Sequence, residues 1–149
     1  MLMAKEDEAF IQAALRVAEK YFQYGNFLSS PSDARSYLAL RCAALEHEEF
    51  GLLWLNNNNA ILKIETMFRG TISQTAVYPR EIVKAALSVN ASAVILFHNH
   101  PSGQVEPSQA DIVLTKEVVD ALKIIDVRVL DHIILGGGKS KSLAELGLV

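Results

Sequence analysis

The chain has 149 residues, half of them apolar and 21% charged, which is the size and composition of one folded globular domain. Its formal charge is −3 and it carries no run of Lys or Arg, so the electrostatic footprint of a stand-alone nucleic-acid binder is missing. Cys42 is the single cysteine, which excludes an internal disulfide and a thiolate metal cluster.

Apolar runs fall far short of a membrane span, and Met1 to Glu8 lacks the cationic-then-apolar order of a signal peptide. A soluble cytoplasmic protein is expected. In chain order, residues 4 to 24 predict a helix with two adjacent apolar rows, Phe10, Ala13, Val17 and Tyr21 beside Ile11, Leu15, Ala18 and Phe22. Ser30-Pro31-Ser32-Asp33 is a helix-start signature with Ser30 as N-cap, and that second helix is expected to reach about Leu45. Cys42 lies in its apolar pattern and reads as a small buried hydrophobe.

A strand is expected over Glu48 to Leu55, then a turn at Asn56 to Asn59, since Asn tolerates left-handed backbone geometry. Ala60 to Phe68 returns as the antiparallel partner, and Gly70 to Val77 is a third strand-like piece. Pro79 starts a helix that turns Ile82, Val83, Ala86 and Leu87 inward and ends near Asn90. Ser92 to Phe97 is apolar throughout, as in a strand covered on both faces. Ser108 to Ile125 predicts a helix with Ile112, Thr115, Val119 and Leu122 along one side. Val127 to Leu135 is the final strand, Gly136-Gly137-Gly138 a loop and Ser142 to Val149 a tail. The alternation of strands and helices points to a three-layer α/β domain.

The chemistry concentrates in residues 94 to 111. The apolar strand delivers His98 and His100, which share a face because side chains two apart on a strand point the same way. Ser108 and Asp111, three apart at a helix start, share a face as well. Two imidazoles and a carboxylate make a three-ligand site with one position open for water, the pattern of catalytic zinc. A metal at such a site lowers the pKa of bound water to about 7 and polarises a carbonyl. A general base and an oxyanion donor are also required; Ser108 suits the donor, and the base must be a carboxylate from elsewhere. Each half has a plainer reading. Ser-x-x-Asp before an apolar run is a capping box, and His-x-His at a strand end can be surface polar residues. A cap that fixes the helix start would also aim Asp111, so the two roles are compatible.

His-x-His, seven residues, Ser, two residues, Asp resembles the JAMM signature of the JAB/MPN metallopeptidases. The words around it, Tyr78-Pro79-Arg80-Glu81-Ile82-Val83, Asn90-Ala91, His98-Asn99-His100-Pro101-Ser102-Gly103, Glu106-Pro107-Ser108-Gln109-Ala110-Asp111 and Asp131-His132-Ile133-Ile134, resemble the RadC-like branch. The resemblance runs from about residue 46 to the C-terminus. It implies a RadC-like JAB/MPN domain over 46–149, a three-layer α/β/α fold of the cytidine-deaminase-like kind with a mixed sheet. Residues 1–45 would then be an N-terminal helical extension of two helices. It implies a zinc ion on His98, His100 and Asp111, and Ser108 steadying a tetrahedral intermediate. The substrate would be a peptide or protein with an amide or isopeptide bond.

The family places its general acid/base glutamate near the start of an upstream strand, with a small residue three positions on. Glu48-x-x-Gly51 fits, and on an extended chain Glu48 shares a face with Phe50 and Leu52 while Glu46 lies beyond the apolar run. By the resemblance, Glu48 is the general acid/base. His47 would point away from it. His132 reads as a hydrogen-bonded structural residue, with support of a metal ligand as a further role. Arg80 and Glu81 read as architectural and Trp54 as core. Two other functions stand beside hydrolysis, a DNA-repair accessory and a metal-free scaffold for partner proteins. Longer RadC-type proteins carry a helix-hairpin-helix module, whereas the residues ahead of 46 show no basic loop. A (β/α)₈ amidohydrolase needs about 250 residues, and a zinc deaminase needs a Cys-x-x-Cys pair that one cysteine cannot supply. Non-haem iron also takes two His and a carboxylate, so zinc is inferred by family.

Overall fold

The computed structural model describes residues 4–23, 31–70 and 77–149. Two helices, α1 (Lys5–Gln23) and α2 (Pro31–Cys42), precede a hairpin of β1 (Glu49–Leu55) and β2 (Ile61–Arg69). Next come α3 (Pro79–Ser88), β3 (Ala93–Asn99), α4 (Gln109–Lys123), β4 (Arg128–Gly136) and β5 (Lys139–Ser142). The expected N-cap Ser30 and most of the strand-like piece Gly70 to Val77 lie outside the described residues.

The strands form one five-stranded sheet in the order β2-β1-β3-β4-β5. β3 and β4 run parallel, and the other neighbours are antiparallel. A mixed sheet with both faces covered explains why β1 and β3 are buried along their whole length. Leu53, Leu55, Ile95 and Phe97 meet Leu15, Ala34, Tyr37 and Leu38 from α1 and α2. Phe50, Leu52, Trp54, Val94 and Leu96 meet Ile82 and Ala86 of α3 and Val118 and Leu122 of α4. The architecture is therefore α/β/α, and α1 and α2 form one of its layers. Trp54 is fully buried, its indole N–H donating to Glu65 Oε1 at 2.9 Å, so its core role holds. Cys42 is buried as well, and burial pushes its thiol up to about 12.

Several expectations about faces change. Among the described side chains of α1, Ile11, Leu15 and Ala18 pack inward whereas Phe10 and Val17 are exposed, α1 resting on α2 and the edge strand β2. Leu87 is exposed, one residue round the helix from the buried Ala86. In α4 the buried row is Asp111, Thr115, Val118 and Leu122, with Ile112 and Val119 half-buried beside it. That rotation turns the polar Asp111 and Thr115 toward the sheet. α2 stops at Cys42, where Ala43 and Leu45 N–H groups bond three residues back and tighten the last turn. The glycine loop is a hairpin turn: Gly137 and Gly138 take φ of 55° and 76°, as a two-residue type I′ connection requires, and β5 pairs back on β4.

Candidate metal centre

All the pieces gather where β3 and β4 end and β1 begins. Side chains alternate along β3, so Val94, Leu96 and His98 face α3 and α4 while Ile95, Phe97 and Asn99 face α1 and α2. His98 is fully buried and His100 follows one alternation later, past the strand end. The His100 N–H donates to the Leu135 carbonyl at 2.7 Å, and its own carbonyl accepts from Gly103 N–H at 2.9 Å, which folds the Pro-Ser-Gly turn back.

On α4, Ser108 and Asp111 form a reciprocal capping box. Asp111 N–H donates to Ser108 Oγ at 3.1 Å, and Ser108 N–H donates to Asp111 Oδ2 at 2.8 Å. The cap and the ligand set are thus the same residues, and the cap holds Asp111 toward the histidines. Asp111 Oδ1 lies 3.3 Å from His98 Nε2 and Oδ2 lies 3.6 Å from His100 Nε2. The ligand atoms of His98, His100 and Asp111 all fall within 4.8 Å of one another. Burial pushes the Asp111 carboxyl up, but hydrogen bonds from His100 and His98, the charge of His98 and the Ser108 N–H outweigh it, and the group stays well below the usual carboxylate range. The Asp111 hydrogen bond in turn raises the His100 imidazole against the opposing effect of burial.

The donor set suits a small cation. His100 Nδ1 lies 2.7 Å from the Gln104 carbonyl, an acceptor only, so Nδ1 carries a proton and Nε2 is the nitrogen turned to Asp111 and available to a metal. His98 Nδ1 lies 2.8 Å from His132 Nε2, and the two Nε2 atoms of His98 and His100 face each other at 2.9 Å. Two imidazole nitrogens and one carboxylate converging on a point are completed by a proton or a metal ion. Nitrogen and oxygen donors in that number are what zinc accepts in an open site.

Glu48 and Glu49 separate cleanly. Phe50 pairs with His98 across β1 and β3, so two residues further along the same register Glu48 stands opposite His100 on the metal-site face. Glu48 is half-buried, and its charge helps raise the His100 imidazole. Glu49 points to the other face. There its buried carboxylate accepts from His47 Nε2 at 2.9 Å and Thr66 Oγ1 at 3.1 Å, and pairs with the Arg69 guanidinium, Nε lying 3.2 Å away. His47 is therefore a structural partner of Glu49.

The sequence reading missed three supports. Asn99 faces away from the histidines, yet its carboxamide grips both peptide groups flanking Glu48. Thr115 stands on the predicted side of α4 with Ile112, Val119 and Leu122, and a hydroxyl four residues after Asp111 is the sequence signal for its role. Its Oγ1 donates to the Asp111 carbonyl and touches His132 Nδ1, both at 2.6 Å. Asp131 binds the last residue of β5 and the chain just after it, accepting from Ser142 Oγ at 2.6 Å and Ala144 N–H at 3.0 Å. A cavity of about 490 Å³ lies on the α2 side of the His100–Gly103 turn, lined by Ala39, Cys42 and Gly136 to Gly138. Of the three ligand residues only His100 borders it, so it adjoins the centre without containing it.

The chain is similar to known proteins along nearly its whole length. The RadC-like JAB domain family matches residues 28–148, which takes in α2. UPF0758 protein YkfG of Escherichia coli (strain K12) is 49% identical over 148 residues, 99% of this chain and 94% of that protein. UPF0758 protein YeeS of the same organism is 47% identical, over 99% of this chain and 100% of its own length. A UPF0758 protein of Paracidovorax citrulli (strain AAC00-1) is 48% identical over 95% of this chain, which spans only 60% of that longer protein. Among the described residues, no helix is long and apolar enough to cross a membrane.

Proposed function

Because the chain belongs to the RadC-like JAB domain family, we propose that it is a zinc-dependent hydrolase that cleaves an amide bond, in a peptide or in an isopeptide linkage. The observation that carries this reading is the convergence of His98, His100 and Asp111 on one point, with Asp111 held ionised. Those three residues would hold the ion. When bound, zinc would supply a water that ionises near neutral pH and a Lewis acid for the scissile carbonyl.

The remaining work falls to the chain. The register that sets Glu48 opposite His100 supports it as the group that accepts a proton from the attacking water and returns it to the leaving amine. Ser108 Oγ accepts the Asp111 N–H, which leaves its own proton to donate toward a developing oxyanion. Glu49 is excluded from the base role by its position on the other face, among His47, Thr66 and Arg69.

The test is metal content followed by turnover. Protein purified without chelator should carry about one zinc, and His100→Ala should abolish it. Glu48→Gln should keep the metal while cleavage of an isopeptide-linked or peptide substrate falls by roughly 10²–10⁴-fold. Wild-type protein that takes up no zinc would overturn the proposal.

A further inference from the structure

We propose that Thr115 and His132 are positioning residues that lock the His98 imidazole in the one tautomer able to offer Nε2 to a metal. The inference rests on reading His98, His100 and Asp111 as a metal centre, and extends it to residues that touch no ligand.

The argument is one of hydrogen-bond direction. Thr115 Oγ1 has a single proton and two close neighbours, the Asp111 carbonyl oxygen and His132 Nδ1, each at 2.6 Å. The carbonyl can only accept, so the hydroxyl proton goes there. His132 Nδ1 must then bring its own proton to Thr115. His132 is fully buried with its ring edge-on to Phe50, centroids 5.8 Å apart, a setting for the neutral ring with one N–H. Its Nε2 is therefore an acceptor. His98 Nδ1, 2.8 Å away, supplies the N–H, which leaves Nε2, turned to Asp111 Oδ1 at 3.3 Å, as the nitrogen that can give up a shared proton to a metal. Every direction follows from the acceptor at the end of the chain.

The two ligand histidines are thus oriented by different means. His100 Nδ1 reaches the Gln104 carbonyl directly at 2.7 Å. His98 sits inside the sheet between paired strands, and its acceptor is a side chain from the next strand. A bulge makes that possible. Val94 pairs with Val129 but Ile95 pairs with Asp131, so Leu130 is skipped and the alternation of β4 shifts by one. The shift turns His132 to the face of His98; without it His132 would point toward α1 and α2. The relay also closes a loop, since it starts on Asp111 through its carbonyl and returns to Asp111 through its carboxylate. It fixes α4 to β3 and β4 at the level of the metal ligands.

The test uses Thr115→Val, which keeps the shape and removes the hydroxyl, with Thr115→Ser as the conservative rescue. ¹⁵N-histidine NMR on metal-free protein reads the tautomers, and competition against a zinc chelator reads affinity. Wild type and Thr115→Ser should show His98 protonated at Nδ1 throughout, with any second proton on Nε2 shared with Asp111. Thr115→Val should show a mixture, with zinc bound roughly 10–100-fold more weakly. His132→Leu should lose as much affinity; should it fail to fold, the Thr115 pair still decides. A folded Thr115→Val protein with unchanged His98 tautomer and unchanged zinc affinity would overturn the relay. Wild type that binds no zinc at all would remove the hydrolase reading instead, and the tautomer comparison would still judge the relay by itself.

Discussion

Asn99 holds Glu49 by its backbone, its Oδ1 accepting the Glu49 N–H at 2.7 Å, while its amide donates to the His47 carbonyl at 2.9 Å. Glu48 lies between those two anchored peptide groups, so its side chain has one way to go, to the opposite face and toward His100. Asn99→Leu leaves a buried N–H without a partner, and unfolding in urea should show a loss of about 1–3 kcal/mol. On the proposed mechanism, turnover should fall much further than zinc affinity, since His98 and His100 keep their own supports. Equal losses of affinity and turnover would show that Asn99 serves the whole strand end and does not aim Glu48 in particular.

Asp111 and Ser108 each carry a helix-cap role and a proposed chemical role, and different substitutions separate the two. Asp111→Asn keeps an oxygen to accept the Ser108 N–H but removes the charge. The helix start should survive, with zinc affinity down by at least about tenfold because the anionic ligand is gone. Ser108→Gly replaces one good N-cap residue by another and should cost only a few tenths of a kcal/mol in stability. If the hydroxyl steadies an oxyanion, cleavage by Ser108→Gly should still fall by about 10²–10³-fold. Turnover that tracks stability in this variant would leave Ser108 as a cap alone.

Much of the site was legible in the chain because its determinants are local. Strand alternation puts His98 and His100 on one face, a capping pattern puts Ser108 and Asp111 at the start of α4, and the resemblance to the family's glutamate-to-glycine spacing points to Glu48. What was not legible depends on register between distant segments. Nothing near His132 reveals that a skipped Leu130 turns it toward His98. Nothing near Asn99 reveals that residues 47 and 49 will lie across from it. The α4 face was misjudged for a related reason: hydrophobic periodicity favours Ile112 and Val119, whereas the buried row is set by Asp111 and Thr115, whose polar partners come from β3 and β4. The helix α1 offered two apolar rows, and only the neighbours present in the fold decide which one is covered.

The metal-free protein should have a stability maximum near the ordinary imidazole value of 6.5. The Asp111 hydrogen bond raises the His100 imidazole, so its contribution is full below 6.5 and is lost as pH rises through the raised value. Burial lowers the His132 imidazole, so the unfolded chain takes up protons first and stability falls as pH drops below 6.5. Asp111, held well below its ordinary 3.8, adds a further loss as pH falls through that region. Urea midpoints measured across this range with chelator should trace a peak, and zinc should remove the alkaline decline because the metal binds the neutral ring. A midpoint that climbs steadily past pH 8 in chelator would contradict the pairing of His100 with Asp111.

Gly51, which marks the glutamate by its spacing, has a packing reason to be glycine. It pairs directly with Phe97 across β1 and β3, and a Cβ built on it would lie 2.2 Å from Phe97 Cζ and 2.6 Å from Cε2. The Phe97 ring is buried against α1 and α2. Gly51→Ala should therefore destabilise by about 1–3 kcal/mol, or more if the strands must part. Phe97→Leu in the same chain should recover part of that loss, giving a coupling of roughly 0.5–3 kcal/mol in a double-mutant cycle read by urea unfolding. Because Phe97 immediately precedes His98, the single variant should also bind zinc more weakly, and the double variant should regain affinity as β1 returns to its place. Additive effects of the two substitutions would mean that the ring is not what requires glycine at position 51.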